Sequence, residues 1–448
     1  MKKFNRAASL VLMLVLAIVV SACGNNNNEN QASSAPAGSA PASSAASSEA
    51  PADKPVKITF MNTKGADVQK LIEAAAGEFK KANPNITVEV ISTGDGQSPV
   101  EMASTLYASG TAPALIMLDA GDIAKFKDKA ADLSGEKWVA DMAQPNQIDG
   151  KTLAFPFAVE GYGFIYNKAV LDKAVGGTFD PATVNSTSAL EELFMKVEAS
   201  GVAPLSIGSM DWSLGNHFLA IAYATQPDGD VNKYLDSLKA GSEKVADNAA
   251  FNGLMDTFEV MKKYNKAKND PLAVTYEQSA AVVAKGEAAI TFNGNWMFPE
   301  LQKSNATGEF GFLPVPVSNN AGDKANSAIA IGATKQIIVD QTQNSEDQQA
   351  AAKKFLEWIV YDQAGQDFLV NKASIIPAFK NIQLEPKDSL AKAIKAYNNA
   401  GKSIPFAGNY VPGDHWKILG ASMQKYLVNK TDRAGLAADI QDYWKNVK

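Results

Sequence analysis

The chain has 448 residues, of which 46% are hydrophobic and 20% charged, a balance that fits a folded globular body and excludes a wholly disordered one. A net charge of −6 argues against nucleic acid as a partner. A single cysteine excludes an internal disulfide, and Arg6 and Arg433, the only arginines, disfavour a strongly anionic ligand, although lysines can still hold one.

Lys2, Lys3 and Arg6 precede the apolar run ASLVLMLVLAIVVSA, so residues 1–22 read as a secretory signal peptide. The run is shorter than the ~20 residues of a spanning helix. VSAC resembles the lipobox of bacterial lipoproteins, which implies lipidation at Cys23 and a mature chain that begins there. An ordinary signal peptide before a free thiol is the alternative. More than one acyl chain would hold the protein stably on a membrane, the only membrane contact expected. Residues 24–55 carry no large apolar side chain, so 23–55 is expected to be a disordered tether with a reach on the order of 30 Å.

From Val56 the body begins. VKITFMN reads as a strand, and Val68, Leu71, Ile72, Ala75 and Phe79 lie on one face of a helix stopped by Asn83-Pro84. ITVEVI predicts a second strand, residues 101–109 a helix, and PALIML a third strand. Alternation of strand and helix argues for a parallel sheet covered by helices. Ser188 and Glu191 form the pattern of a capping box opening a helix with Leu190, Leu193, Phe194 and Val197 inward and Gly201 at its end. Residues 287–294 and 328–333 are buried-strand candidates, 346–361 an amphipathic helix, and the last sixty or so residues mainly helical.

Enzyme and metal motifs fail one by one. DGKT lacks the first glycine of a phosphate loop, Pro145 standing in its place. DGDVNK starts like a calcium loop, but Lys233 replaces the turn glycine and Lys239 the closing glutamate. His217 and His415 are too few and too far apart for a metal cluster. No cofactor or metal is expected. Paired carboxylates stay open as chemistry, because spacing in sequence does not measure their separation.

Several blocks resemble the family 1 extracellular solute-binding proteins of carbohydrate ABC transporters, of which maltose-binding protein is the familiar member. They are FKKANPNITVEV, LYASGTAPALIMLDAGDI, DGKTLAFPFAVEGYGFIYNKAVL, VVAKGEAAITFNGNWMFPEL, FGFLPVP, AAAKKFLEWIV and SIIPAF, spread from Val56 towards the C-terminus in family order. Ala114 departs from the aspartate the family usually carries there, which puts a local turn contact in doubt. The resemblance implies an α/β, two-lobed periplasmic-binding-protein fold, each lobe a mixed, mostly parallel sheet flanked by helices, with a ligand cleft at the hinge. It places lobe one at 56–159 plus 325–371 and lobe two at 160–324 plus 372–448. It also implies a monomer that delivers a sugar to the membrane subunits of a permease, outside the cytoplasm and anchored by lipid to the cell membrane. The asparagine-rich tether and lysine-heavy usage suggest a Gram-positive surface.

A sugar offers a C–H face suited to aromatic rings and a hydroxyl rim suited to carboxylates and amides. By family position, Trp296 stacks the sugar, with Trp212, Asp211 and Trp416 beside it; a core or lid role is the plain alternative for these rings. Glu160 meets sugar hydroxyls or ties two hinge strands, and Tyr162 does either. Asp119, Asn62 and Thr63 follow strands that line the family's cleft, Asn295 and Asn293 flank Gly294, and Asp122 reads better as an exposed turn. Trp138, Trp358 and Trp444 are assigned to packing. The chain is therefore read as a binding protein and not an enzyme. The alternatives are a secreted carbohydrate-active enzyme using two of Asp119, Glu160 and Asp211, or a sensor or adhesin on the same fold.

Overall fold

The computed structural model describes residues 54–447 apart from 65, 94–97 and 144–146. The expected leader, Cys23 and the tether up to residue 53 lie outside the described residues. Among the described residues nine strands form one mixed sheet: β1 (Val56–Asn62), β2 (Ile86–Ser92), β3 (Leu115–Asp119), β4 (Phe155–Asn167), β5 (Ala203–Leu205), β6 (Ala288–Gly294), β7 (Phe310–Leu313), β8 (Ile329–Val339) and β9 (Ser403–Pro405). Their order is β2-β1-β3-β8-β4-β6-β5, with β7 on β4 and β9 on β8. β1 pairs in parallel with β2 and β3, as do β5 with β6 and β8 with β9. The antiparallel pairs all involve β4 or β8.

Those two strands organise the molecule because each passes from one hydrophobic core to another. Phe155, Phe157 and Ala158 of β4 belong to the core around Phe60, Phe79, Phe355 and Trp138, whereas Tyr162 and Phe164 belong to the core around Phe194, Phe218, Phe258 and Trp444. Ile337 and Val339 of β8 join the first core, Ala330 the second, and Ile329 and Ile331 a third one with Phe312 and Leu390. β8 thus changes cores within the strand near Thr334, and farther along the chain Ile375, Ala378, Phe379 and Ile382 pack with the first core and Ile376 with the third. β4 slips register between Pro156 and Val159, a bulge where a proline without an N–H is tolerated and where following side chains are re-aimed.

Helices cover the sheet as the periodicity predicts. Ala66–Ala82 buries Ile72, Ala75, Ala76 and Phe79, and Glu346–Tyr361 opens on a Ser345–Gln348 capping box. Pro99–Ala108 starts two residues earlier than expected, because Ser98 caps it and Pro99 occupies its first turn. Thr187–Ala199 is capped by Ser186, which accepts from the Ala189 N–H, and not by Ser188, which bonds Asn319. Glu191 pairs instead with Lys263, so the expected box does not form. Among the described residues no helix is long and apolar enough to cross a membrane, and no His, Cys, Asp and Glu group is placed to hold a metal.

Candidate functional site

A cavity of about 730 Å³ opens where β4 and β8 change cores. Its floor is Ala158, Val159 and Glu160 of β4 with Thr334 and Lys335 of β8, directly at the bulge.

One wall is ionic and already paired. Lys64, just beyond β1, donates to Glu160 at 2.6 Å, and the Thr334 hydroxyl donates to the other Glu160 oxygen. Lys335 donates to Asp119, at the end of β3, at 2.5 Å. Lys125 donates to Asp122 at 2.7 Å. Burial alone would raise the Glu160 pKa, but the charges of Lys64 and Lys335 and the two hydrogen bonds outweigh it and hold the carboxyl below its ordinary value. Lys335 is likewise held above its ordinary value: burial opposes the charge and Asp119 more than compensates. Glu160 is therefore an ionised acceptor. Asp211, the third carboxylate of the enzyme alternative, does not line the cavity.

The opposite wall is aromatic. Trp212, His217, Tyr276, Trp296, Phe406 and Trp416 line it. The His217 ring centroid lies 5.0 Å from Trp296, 5.4 Å from Trp212 and 5.3 Å from Phe406. On its far side the imidazole stacks on Tyr162 at 4.9 Å. Burial pushes the His217 pKa down to about 3, so the ring is neutral at physiological pH. Trp212, Asn216 and His217 come from one unusually wide helical segment, Trp212–Phe218, in which the Leu219 N–H donates to the carbonyl of Leu214, five residues back. Such π-type turns collect at functional sites.

Seven of the residues singled out in sequence line this one cavity: Thr63, Asp119, Glu160, Trp212, Asn295, Trp296 and Trp416. Asn295 also accepts from the Gly161 N–H at 3.1 Å, tying the turn after β6 to β4. Four do not line it, among them Asn293, which is fully buried and accepts from the Gly294 N–H. Asn62 is fully buried and folds back on Lys64, accepting its N–H and donating to its carbonyl. Tyr162 lies behind His217, and Asp211 caps the wide segment by accepting from the Trp212 N–H. Asp122, expected as an exposed turn, lines the cavity, because the turn 120–126 packs back on Asn409 and Val411 at Gly121. His415 is fully buried against Tyr223 while its neighbour Trp416 faces the cavity. Trp138, Trp358 and Trp444 are buried in cores.

Sequence reasoning missed Lys64, Thr334, Lys335, His217, Tyr276 and Phe406. A signal existed for two: the polar triplet Thr334-Lys335-Gln336 interrupts an otherwise apolar strand.

Comparison with known proteins gives the following. A family model described as bacterial extracellular solute-binding protein matches residues 74–401. An uncharacterised ABC-transporter extracellular-binding protein of Pyrococcus horikoshii is 24% identical over 345 residues, covering 72% of either chain. The solute-binding protein RafE, known from Streptococcus pneumoniae, in complex with raffinose is similar in structure with a TM-score of 0.70 and 18% identity, covering 87% of this chain and 99% of its own. A Bacillus licheniformis sugar-transporter protein in complex with stachyose gives 0.67 and 20%, over 88% of this chain and 100% of its own. At such identities the likeness is one of fold.

Proposed function

The chain belongs to the bacterial extracellular solute-binding protein family, and from that premise we propose that it captures a neutral oligosaccharide between two closing lobes and delivers it to an ABC permease. The observation that carries this reading is the division of the cavity: aromatic rings on one wall, and on the other carboxylates and lysines that neutralise one another. An anionic ligand would have to displace Glu160 or Asp119 from its lysine. A polyol needs no displacement, because its hydroxyls add hydrogen bonds to charged groups that keep their partners. The relatives' complexes with raffinose and stachyose point to the same class of ligand.

Covering ~100 Å² of ring at about 25 cal/mol/Å² gives about 2.5 kcal/mol per stacked face. Two or three faces and several hydrogen bonds outweigh an association cost of ~4–15 kcal/mol and reach micromolar affinity, near −8 kcal/mol. Trp296, Trp212 and Trp416 supply faces, Glu160, Asp119, Thr63 and Asn295 the hydrogen-bonding rim. Closure turns about β4 near Val159 and β8 near Thr334, the places where each strand changes cores, and ligand bonds to both sides favour the closed form. The protein works as a monomer outside the cytoplasm, attached through Cys23 after removal of the leader and held off a Gram-positive membrane by the tether.

Calorimetry with raffinose, stachyose and maltotriose tests this. At least one binds with micromolar affinity, scattering shows the protein contracting on binding, and the sugar is recovered intact. Trp296→Ala weakens binding by about 2 kcal/mol, roughly thirtyfold. Absence of heat with every neutral saccharide, or a Trp296→Ala protein that binds as the parent does, refutes the reading.

A further inference from the structure

Stacking alone does not explain one side chain of the aromatic wall. His217 is held by four rings: it stacks on Tyr162 with 25° between the planes, meets Trp212 and Phe406 at 72° and 82°, and has Trp296 tilted at 50°. Three of these four rings line the cavity, as His217 itself does, and Tyr162 lies behind it. The His217 Nδ1 is sealed and has no partner. Phenylalanine would fill such a slot without shutting away a nitrogen, so packing does not account for an imidazole here.

The second nitrogen supplies a reason. His217 is only partly buried, and among the described residues its Nε2 is neither sealed nor bonded. The ring therefore turns its Nε2 edge to the cavity that it lines. A neutral imidazole carries one N–H and one bare nitrogen. Burial keeps the ring neutral although the Glu160 charge favours protonation. Of the two neutral tautomers, the one with its proton on Nε2 orphans no buried N–H.

We infer that His217 is a specificity-determining residue of the cavity, its Nε2–H donating to an oxygen of the bound saccharide. This rests on the oligosaccharide reading and deepens it. Ionised Glu160 can only accept, so it reads hydroxyl hydrogens. His217, fixed among the rings, reads an oxygen lone pair where the sugar lies against the aromatic wall. A saccharide with a methylene at that place leaves the N–H unpaired and is rejected.

Isotopic labelling of the histidine nitrogens tests this, because the chain has only two histidines and the resonances lost in His217→Phe identify the ring. Nitrogen shifts read through the ring C–H protons show Nε2 protonated and Nδ1 bare. Adding whichever of raffinose, stachyose or maltotriose the parent binds moves the Nε2 signal and leaves the His415 signals in place. Calorimetry supplies a second readout: His217→Phe, which keeps a ring, lowers affinity about tenfold, and His217→Gln, whose amide can donate, recovers part of the loss. A bare Nε2, an Nε2 signal unmoved by a sugar that binds, or a His217→Phe protein that binds as the parent does overturns the inference. So does an equal loss in both variants with lowered melting midpoints, which marks a packing role. A parent that binds none of the three sugars removes the oligosaccharide reading and this inference with it.

Discussion

Gly294 shows how closely the site depends on single atoms. A Cβ at this position would lie 2.2 Å from the Trp296 ring, so the indole rests directly on the backbone of the turn after β6. Gly294→Ala therefore has to push the ring away, while β6 itself, paired to β4 from Tyr162 to Tyr166, keeps its ladder. The expected result is a loss of sugar affinity of tenfold or more with a melting midpoint lowered by only a few degrees; calorimetry and a thermal melt check both. The aromatic half of the cavity was legible in the sequence for a related reason: Trp212 and Trp296 stand near glycines in stretches that read as loops or turns, a setting that suits a ring kept out of a core. The paired charges were not legible. Lys64 and Glu160 are 96 positions apart and Lys335 and Asp119 are 216 apart, and only the order of strands in the sheet brings them together.

At the scale of elements, the wide segment Trp212–Phe218 and the helix His415–Leu427 carry three of the cavity's rings, and they meet without side chains between them. A Cβ on Gly215 would lie 2.5 Å from the Gly420 nitrogen, and one on Gly420 would lie 2.4 Å from the Asp211 carbonyl oxygen. Neither contact yields by rotating a side chain. Gly420→Ala thus separates the two elements, costs about 1–3 kcal/mol as overpacking does, and tilts Trp212 away from Trp416. Denaturant titration and sugar calorimetry are expected to fall together; an unchanged stability would contradict the packing described. Strands and helices with clean periodicity, such as Val56–Asn62 and Glu346–Tyr361, were readable to the residue. β4 was not read as a strand from its pattern and β8 only over 328–333, because Pro156, Gly161 and Gly163 break the pattern of one and Thr334-Lys335-Gln336 that of the other. Thr334 and Lys335 belong to the floor of the cavity, and Pro156 and Gly161 flank its β4 part, where local propensity yields to the site.

For the whole molecule, the two histidines set how stability responds to acid. Burial pushes the pKa of His415, which has no exposed surface, down to about 3, and lowers His217 similarly. In the unfolded chain both titrate near 6.5. Between these values the unfolded state binds protons that the native state refuses, so stability is full above pH 6.5 and is lost as pH falls towards 3. His415 alone gives a slope of about 1.4 kcal/mol per pH unit, and His217, partly open to the cavity, adds a smaller share. Glu160 acts with the same sign over a lower window. Its depressed pKa contributes stability that is present above its ordinary value of 4.5 and is lost as pH falls through the folded value. Denaturant unfolding at pH 7.5, 6 and 5 is therefore expected to show a decline that sets in as the pH falls through 6.5. His415→Gln, which carries no titrating group, is expected to lower stability at pH 7.5 but to flatten the decline between pH 6.5 and 5. A variant that is less stable yet keeps the parent's slope would mean that the proton is taken up elsewhere.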